Sequence, residues 1–225
     1  MTLTRAEIVR RIDHTLLKPE ATADQIDKLC DECRRYGFVA ACVNPVWVAR
    51  CVERLAGSKT LVATVAGFPL GASTPAAKAY EGGLAVRQGA LEVDMVINYA
   101  ALIAGDYKTA VADVVAVVEA VKRAHSAAEV KVILETRALT DEQIALGCRA
   151  AAEARADFVK TSTGFHANGG ATAAHVSLMK RCAGGLKVKA SGGIRDLPTA
   201  LQMIEAGADR LGMSASVAVA EASQG

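Results

Sequence analysis

The chain is poor in aromatic side chains, which make up 4% of its 225 residues although 52% are hydrophobic. Its core must therefore be built mostly from Ala, Val, Leu and Ile. It also lacks a clustered basic face. Its 26 Lys and Arg are interspersed with 24 Asp and Glu, for a net charge of +2. That distribution argues against a nucleic-acid partner, whose footprint is a gathering of basic side chains; a small anion held at one local site stays open. No apolar run approaches the roughly 18 residues of a membrane span, and the stretch Val111–Val121 is broken by Asp113 and Glu119. The charged start Met1-Thr2-Leu3-Thr4-Arg5-Ala6-Glu7 has no signal-peptide core. A soluble, cytoplasmic protein without a membrane partner is expected.

Six cysteines (Cys30, Cys33, Cys42, Cys51, Cys148 and Cys182) form no regular framework, and disulfides are unexpected in a cytosolic protein of this size. Cys30 and Cys33 make a C-x-x-C inside a helical pattern, with no second pair at zinc spacing, so ordinary packing is expected of them. The four histidines show no metal-ligand spacing such as H-E-x-x-H. No metal or cofactor is expected. A Pro/Gly/Ser-rich linker is missing too, so residues 1–225 read as one domain.

What the chain does have is alternation. Short runs rich in Val, Ile and Leu fall near 38–43, 60–66, 91–97, 130–135, 157–161, 186–190 and 209–213, with a possible eighth near 11–14. Near-continuous apolar runs fit parallel strands covered on both faces. Between them, Thr22-Ala23-Asp24-Gln25 and Thr140-Asp141-Glu142-Gln143 match capping boxes, and Thr74-Pro75 places a capping residue before a first-turn proline. In Tyr107–Arg123 the valines 111, 114, 115, 118 and 121 form one stripe, with Asp113 and Lys122 expected outside it. No G-x-G-x-x-G follows the first strand and no Walker P-loop occurs. An α/β fold is therefore expected, a single (β/α)8 TIM barrel preceded by a short helical segment, in preference to an open doubly wound sheet.

Two lysines stand out within this frame. Lys160 in Phe158-Val159-Lys160-Thr161-Ser162-Thr163-Gly164 and Lys189 in Leu186-Lys187-Val188-Lys189-Ala190-Ser191-Gly192-Gly193 each sit late in an apolar run, before a glycine turn. They are 29 residues apart, about one strand–helix–strand unit. Burial lowers an ammonium pKa, and a second cation adds to the effect, which is one route to a nucleophilic amine. Lys187 lies nearer its strand start and reads as structural. Asp94 in Leu91-Glu92-Val93-Asp94-Met95-Val96-Ile97-Asn98 is a carboxylate within an apolar strand and needs a cationic or hydrogen-bonding partner. Three turns suit phosphate: Ser162-Thr163-Gly164, Ser191-Gly192-Gly193-Ile194-Arg195 and Gly212-Met213-Ser214-Ala215-Ser216. The last two follow strands 7 and 8, where this fold recurrently binds phosphate. His14 is a candidate both for lining the site and for a structural role.

These segments, together with Ile12-Asp13-His14-Thr15-Leu16-Leu17-Lys18-Pro19, Cys42-Val43-Asn44-Pro45, Val65-Ala66-Gly67-Phe68-Pro69-Leu70-Gly71 and Val132-Ile133-Leu134-Glu135-Thr136, run in order along nearly the whole chain. The chain resembles the deoxyribose-phosphate aldolases, class I aldolases on a (β/α)8 barrel. The resemblance implies reversible cleavage of 2-deoxy-D-ribose 5-phosphate to D-glyceraldehyde 3-phosphate and acetaldehyde, without a cofactor. By it, Lys160 is the Schiff-base nucleophile, Lys189 the cation that tunes it, and Asp94 a partner in proton transfer. Gly164, Gly192, Gly193, Arg195, Gly212 and Ser214 are then expected at the phosphate, with Asp13, Thr15, Cys42 and Thr163 as possible lining. The resemblance also suggests a dimer or higher homo-oligomer. Three places depart from the family pattern. Gly212-Met213-Ser214-Ala215-Ser216 stands for Gly-Thr-Ser-Ser-Gly, Asn98-Tyr99-Ala100 stands for Asn-Ile-Gly, and the usual glutamate before Lys78 is missing. The residues alone leave two other functions open, a phosphosugar isomerase or decarboxylase without a covalent intermediate and a non-catalytic phosphosugar binder.

Overall fold

A computed structural model describes residues 3–223. Eight parallel strands close into a barrel in sequence order, with the last strand pairing with the first. They are β1 (Ile12–Leu16), β2 (Ala40–Val43), β3 (Leu61–Ala66), β4 (Glu92–Val96), β5 (Glu129–Ile133), β6 (Phe158–Lys160), β7 (Lys187–Ser191) and β8 (Arg210–Met213). The eighth strand expected near residues 11–14 is β1.

The helices are α1 (Arg5–Val9), α2 (Ala23–Tyr36), α3 (Val48–Leu55), α4 (Pro75–Arg87), α5 (Tyr99–Ile103), α6 (Tyr107–Ala124), α7 (Asp141–Glu153), α8 (Ala173–Cys182), α9 (Leu197–Glu205) and α10 (Ser216–Ala222). Capping boxes start α1 at Thr4, α2 at Thr22 and α7 at Thr140, while Thr74 caps α4 ahead of Pro75. At Thr4, Thr74 and Thr140 the cap hydroxyl accepts an amide that a first helical turn leaves without a partner. Gly37 closes α2 in the left-handed conformation, at φ 76°. Among the described residues no helix is long and apolar enough to cross a membrane.

The apolar core lies mainly between the barrel wall and the helices. It is dominated by the Ala, Val, Leu and Ile side chains that the composition supplies, together with the buried Cys30, Cys33, Cys51 and Cys148. Inside the barrel the apolar cluster is much smaller: Leu17, Ala40, Cys42, Ala63 and Val65. Strand parity and register sort the inward residues into layers of four from alternate strands, as this fold requires. The lowest holds Ala40, Glu92, Phe158 and Arg210. Above it come Asp13, Ala63, Lys131 and Lys189, then Cys42, Asp94, Lys160 and Gly212. Seven ionisable side chains besides Cys42 thus occupy an interior that branched aliphatics usually fill.

One expectation about α6 fails. Asp113 is buried at 1% exposure, because Lys78 of α4, itself fully buried, reaches it at 2.8 Å. The same carboxylate oxygen accepts the backbone N–H of Asn98, also at 2.8 Å, so the pair anchors the chain just after β4. Lys122 does lie outside the stripe and pairs with Asp157 at 2.9 Å. Removing one member of a buried pair leaves the other charge without compensation. Asp113→Ala is therefore expected to lower stability by about 3–5 kcal/mol, read from the midpoint of urea unfolding.

Candidate active site

The ends of β6 and β7 are joined by their own polar side chains. Thr161 Oγ1 donates to the Ser191 carbonyl at 3.1 Å and accepts the Ser191 N–H at 3.0 Å, while the Ser191 hydroxyl donates to the Ser162 carbonyl at 2.6 Å. Lys160 and Lys189 are direct partners in the ladder just below these bonds. The Nζ atoms of both lie 2.7 Å from one oxygen of Asp94, Oδ2, while Lys131 reaches the other, Oδ1, at 2.9 Å. Lys189 also bonds Asp13, and Lys131 bonds Glu92 at 2.6 Å. Arg210 closes the cluster from below through Asp13 at 2.6 Å and Glu92 at 3.1 Å.

The three lysines differ in their environment. Lys160 forms part of the lining of a cavity of about 360 Å³ at the C-terminal mouth of the barrel, whereas Lys131 and Lys189 lie beneath it. Burial pushes the Lys160 amine below its ordinary value; Asp94 opposes this and the neighbouring Lys189 charge adds to it. For Lys189 burial acts the same way, but Asp13 and Asp94 outweigh it and its pKa is raised. Burial would lift the Asp94 carboxyl, yet Lys131, Lys160 and Lys189 hold it well below its usual range. Asp13 is likewise held at about 2 against burial, by Lys189, Lys131 and Arg210. The outcome is one amine biased toward its neutral form, beside a fixed carboxylate and a fixed ammonium.

Segments after β1, β6, β7 and β8 shape the cavity. Thr163 donates from both its amide and its hydroxyl to the Glu135 carboxylate, which orients the turn after β6. Behind that turn three glycine backbones meet. A Cβ on Gly192, at φ 87°, would stand 2.9 Å from Gly170 Cα and 3.2 Å from Gly164 Cα. Gly212 serves a different purpose, because a methyl there would come within 2.9 Å of Lys189 Cε. The amides of Gly192, Gly193 and Ser214 donate to no other group among the described residues, and Lys18 and Arg195 stand beside them at the rim. Free amides on glycine turns with flanking cations make a suitable anion cradle.

Of the residues singled out from sequence, Lys160, Thr15, Thr163, Gly164, Gly192, Gly193, Arg195, Gly212 and Ser214 line the cavity. Asp94 shares the layer of Lys160, and Lys189 comes from the layer below it. Asp13 and Cys42 are fully buried and do not line the cavity; Asp13 belongs to the charged cluster and Cys42 packs inside the barrel. His14 points out through the barrel wall, between Glu32 at 2.7 Å and Ser216 at 3.0 Å, so its role is structural. Ser216 is consequently buried and unavailable to a phosphate. Tyr99, one of the departures from the family pattern, packs against the apolar core. Lys187 is exposed at the opposite end, paired with Glu129 at 3.1 Å and lying over the Phe158 ring. Lys131, Glu92, Arg210 and Lys18 were not singled out. The first three share with Asp94 a charged side chain in a strand, but their local patterns are those of residues that reach solvent.

An amine at the floor of a C-terminal cavity, set among lysines and carboxylates, has the chemistry of barrel enzymes that work on carbonyl compounds. Comparison narrows the class. Residues 8–220 match the model of the DeoC/LacD family aldolases, and the chain belongs to that family. It is 54% identical over 211 residues to a deoxyribose-phosphate aldolase of Lysinibacillus sphaericus, covering 93% of each chain. A putative deoxyribose-phosphate aldolase structure from Coccidioides immitis superposes with a TM-score of 0.93 at 41% identity, over 100% of this chain and 88% of that one. The deoxyribose phosphate aldolase of Aeropyrum pernix, described as tetrameric, gives 0.90 at 33% identity over 97% and 92%.

Gly212→Ala should displace the Lys189 side chain from Asp94. Small misplacements of catalytic groups cost about 10²-fold in rate, so aldolase turnover is expected to fall by that order with the circular dichroism spectrum unchanged.

Proposed function

We propose that this chain is a class I aldolase that reversibly cleaves 2-deoxy-D-ribose 5-phosphate to D-glyceraldehyde 3-phosphate and acetaldehyde in the cytoplasm. Residues 1–225 act as one catalytic domain, with Lys160 as the Schiff-base lysine. The observation that carries the proposal is the Lys160 amine at the cavity floor, biased by burial toward its neutral form and 2.7 Å from Asp94. A neutral amine is the nucleophile that carbonyl addition requires.

The open-chain sugar lies with its C1 aldehyde over Lys160 and its phosphate in the cradle of Gly164, Gly192, Gly193, Gly212 and Ser214, between Lys18 and Arg195. The amine adds to C1 to give a carbinolamine, and loss of water leaves an iminium. The iminium takes up the electron pair of the C2–C3 bond as that bond breaks, while the C3 hydroxyl gives up its proton. D-Glyceraldehyde 3-phosphate departs. The enamine left on Lys160 is protonated at C2, and water releases acetaldehyde and restores the amine. Lys189, with its raised pKa, supplies the fixed positive charge beside these steps. Asp94 orients both lysines, and a water carries protons between this pair and the substrate. The partner is thus a small phosphorylated sugar. The tetrameric relative supports a homo-oligomer as the working form.

Borohydride treatment with acetaldehyde should leave a reduced two-carbon adduct on Lys160, located by peptide mass mapping; an unmodified Lys160 would return the reading to an isomerase or decarboxylase. Lys160→Ala should lower kcat/KM by at least about 10³-fold, as loss of a covalent nucleophile does. Lys18→Ala and Arg195→Ala should each raise KM for the phosphorylated sugar by about tenfold, roughly one charge-assisted hydrogen bond. Neither should change the rate with unphosphorylated deoxyribose.

A further inference from the structure

The charged cluster under the cavity does not end at the residues that serve the reaction. Arg210 enters from the opposite, N-terminal end of the barrel, beneath a shallow cleft bordered by Glu7, Arg10, Arg11, Lys187 and Asp209. The acidic members of that rim are already engaged, Glu7 with Thr4 and Asp209 with Lys180. Lys187 is held by Glu129. Arg210 instead turns inward, and two routes lead from it to the catalytic end. One runs through Asp13 to Lys189, the other through Glu92 to Lys131, and both meet at Asp94.

Counting charges in this closed set gives an asymmetry. Four basic side chains (Lys131, Lys160, Lys189 and Arg210) face three carboxylates (Asp13, Glu92 and Asp94), all in the nearly dry barrel interior. If every group is ionised, one positive charge stays uncompensated, which is costly away from water. Release of one proton removes the excess. Arginine cannot release it. Lys131 bonds both Glu92 and Asp94, and Lys189 bonds both Asp13 and Asp94. Lys160 touches one carboxylate only, Asp94; the other ionisable groups facing it are Lys189 and the Cys42 thiol. Lys160 is the least compensated base and the one from which a proton leaves at least cost.

We infer that Arg210 and Glu92, at the far end of the barrel from the cavity, are positioning residues that set the charge balance favouring loss of the Lys160 proton. The inference rests on Lys160 being the Schiff-base lysine only in its consequence for rate; the charge balance itself is a property of the fold. Arg210 supplies the positive charge that makes one lysine proton superfluous. Glu92 limits that excess to a single charge by compensating Lys131 and sharing Arg210.

The two residues therefore act with opposite sign. Arg210→Met leaves three basic groups against three carboxylates and lets Lys160 keep its proton. The midpoint for Lys160 deprotonation should rise by roughly one pH unit, the size of a single charge acting at an effective dielectric of about 20. Glu92→Gln leaves four against two and should lower the midpoint by a similar amount. The double variant restores an excess of one, and its midpoint should return to that of the unsubstituted protein. Arg210→Lys, which conserves charge, should also keep it.

The experiment measures the pH dependence of trace acetylation of Lys160 by acetic anhydride, quantified by peptide mass mapping, alongside kcat/KM against pH for each variant. Opposite shifts in the two single variants with recovery in the double variant support the inference. Equal shifts in one direction, no shift, or a double variant that fails to recover overturn it. If Arg210→Met does not fold, Glu92→Gln, the double variant and Arg210→Lys still decide between these outcomes. Acetylation also separates this inference from the proposed activity. Opposite shifts without an acetaldehyde adduct on Lys160 would refute the Schiff base and leave the charge balance standing.

Discussion

Asp94 shares its carboxylate among three lysines in an interior that water scarcely reaches, and the site depends on that sharing. One oxygen serves both Lys160 and Lys189, and the other serves Lys131. The carboxylate must stay ionised to hold them, and their combined charge is what keeps it so. Each lysine in turn is tolerated inside the barrel because this acceptor exists. Three facing strands, β5, β6 and β7, are thereby tied to β4 through one side chain. The geometry around the Lys160 amine is thus inherited from the closure of the barrel rather than from the loops above it.

Such an interior is an expensive way to fill a barrel. Buried ionic groups contribute little net stability compared with well-packed apolar ones, and branched aliphatics would fill the same layers at lower cost. Stability is left instead to the shell between barrel and helices, where the Ala, Val, Leu and Ile residues are concentrated. The division of labour is spatial: apolar packing outside the wall, electrostatics inside it, and backbone amides on glycine turns at the mouth. Among the described residues the Lys78–Asp113 pair is the exception, an ion pair embedded in the outer shell, and it secures the chain where β4 ends.

Much of this was legible in the sequence. The strands are near-continuous apolar runs and the helices carry local start signals, so the alternation that defines the barrel could be read without tertiary information. Lys160 and Lys189 were visible because each is an ionisable residue late in an apolar strand before a glycine turn, and Asp94 because it is a carboxylate within an apolar strand. Lys131 escaped because in Glu129-Val130-Lys131-Val132-Ile133 the alternation is that of an ordinary half-exposed strand; only barrel closure turns its face inward. Glu92 and Arg210 sit at strand starts, where charged side chains usually reach solvent. Asp113 was misplaced because helical periodicity describes one face at a time, and its partner lies 35 residues away on α4. His14 and Ser216 satisfy each other across 202 residues, a pairing that no local pattern reveals.

The meeting of Gly164, Gly170 and Gly192 carries a consequence for how this scaffold can change. Their backbones touch with no room for a side chain on Gly170 or Gly192, so the loop after β6 and the turn after β7 interlock as two parts of one surface. Neither can be lengthened, shortened or exchanged with a homologue's segment while the other stays as it is. In directed evolution of the cavity mouth, libraries that vary one of these loops alone will be dominated by misfits. The two segments form a single inheritable cassette, and new substrate preferences will be reached most readily by moving both together.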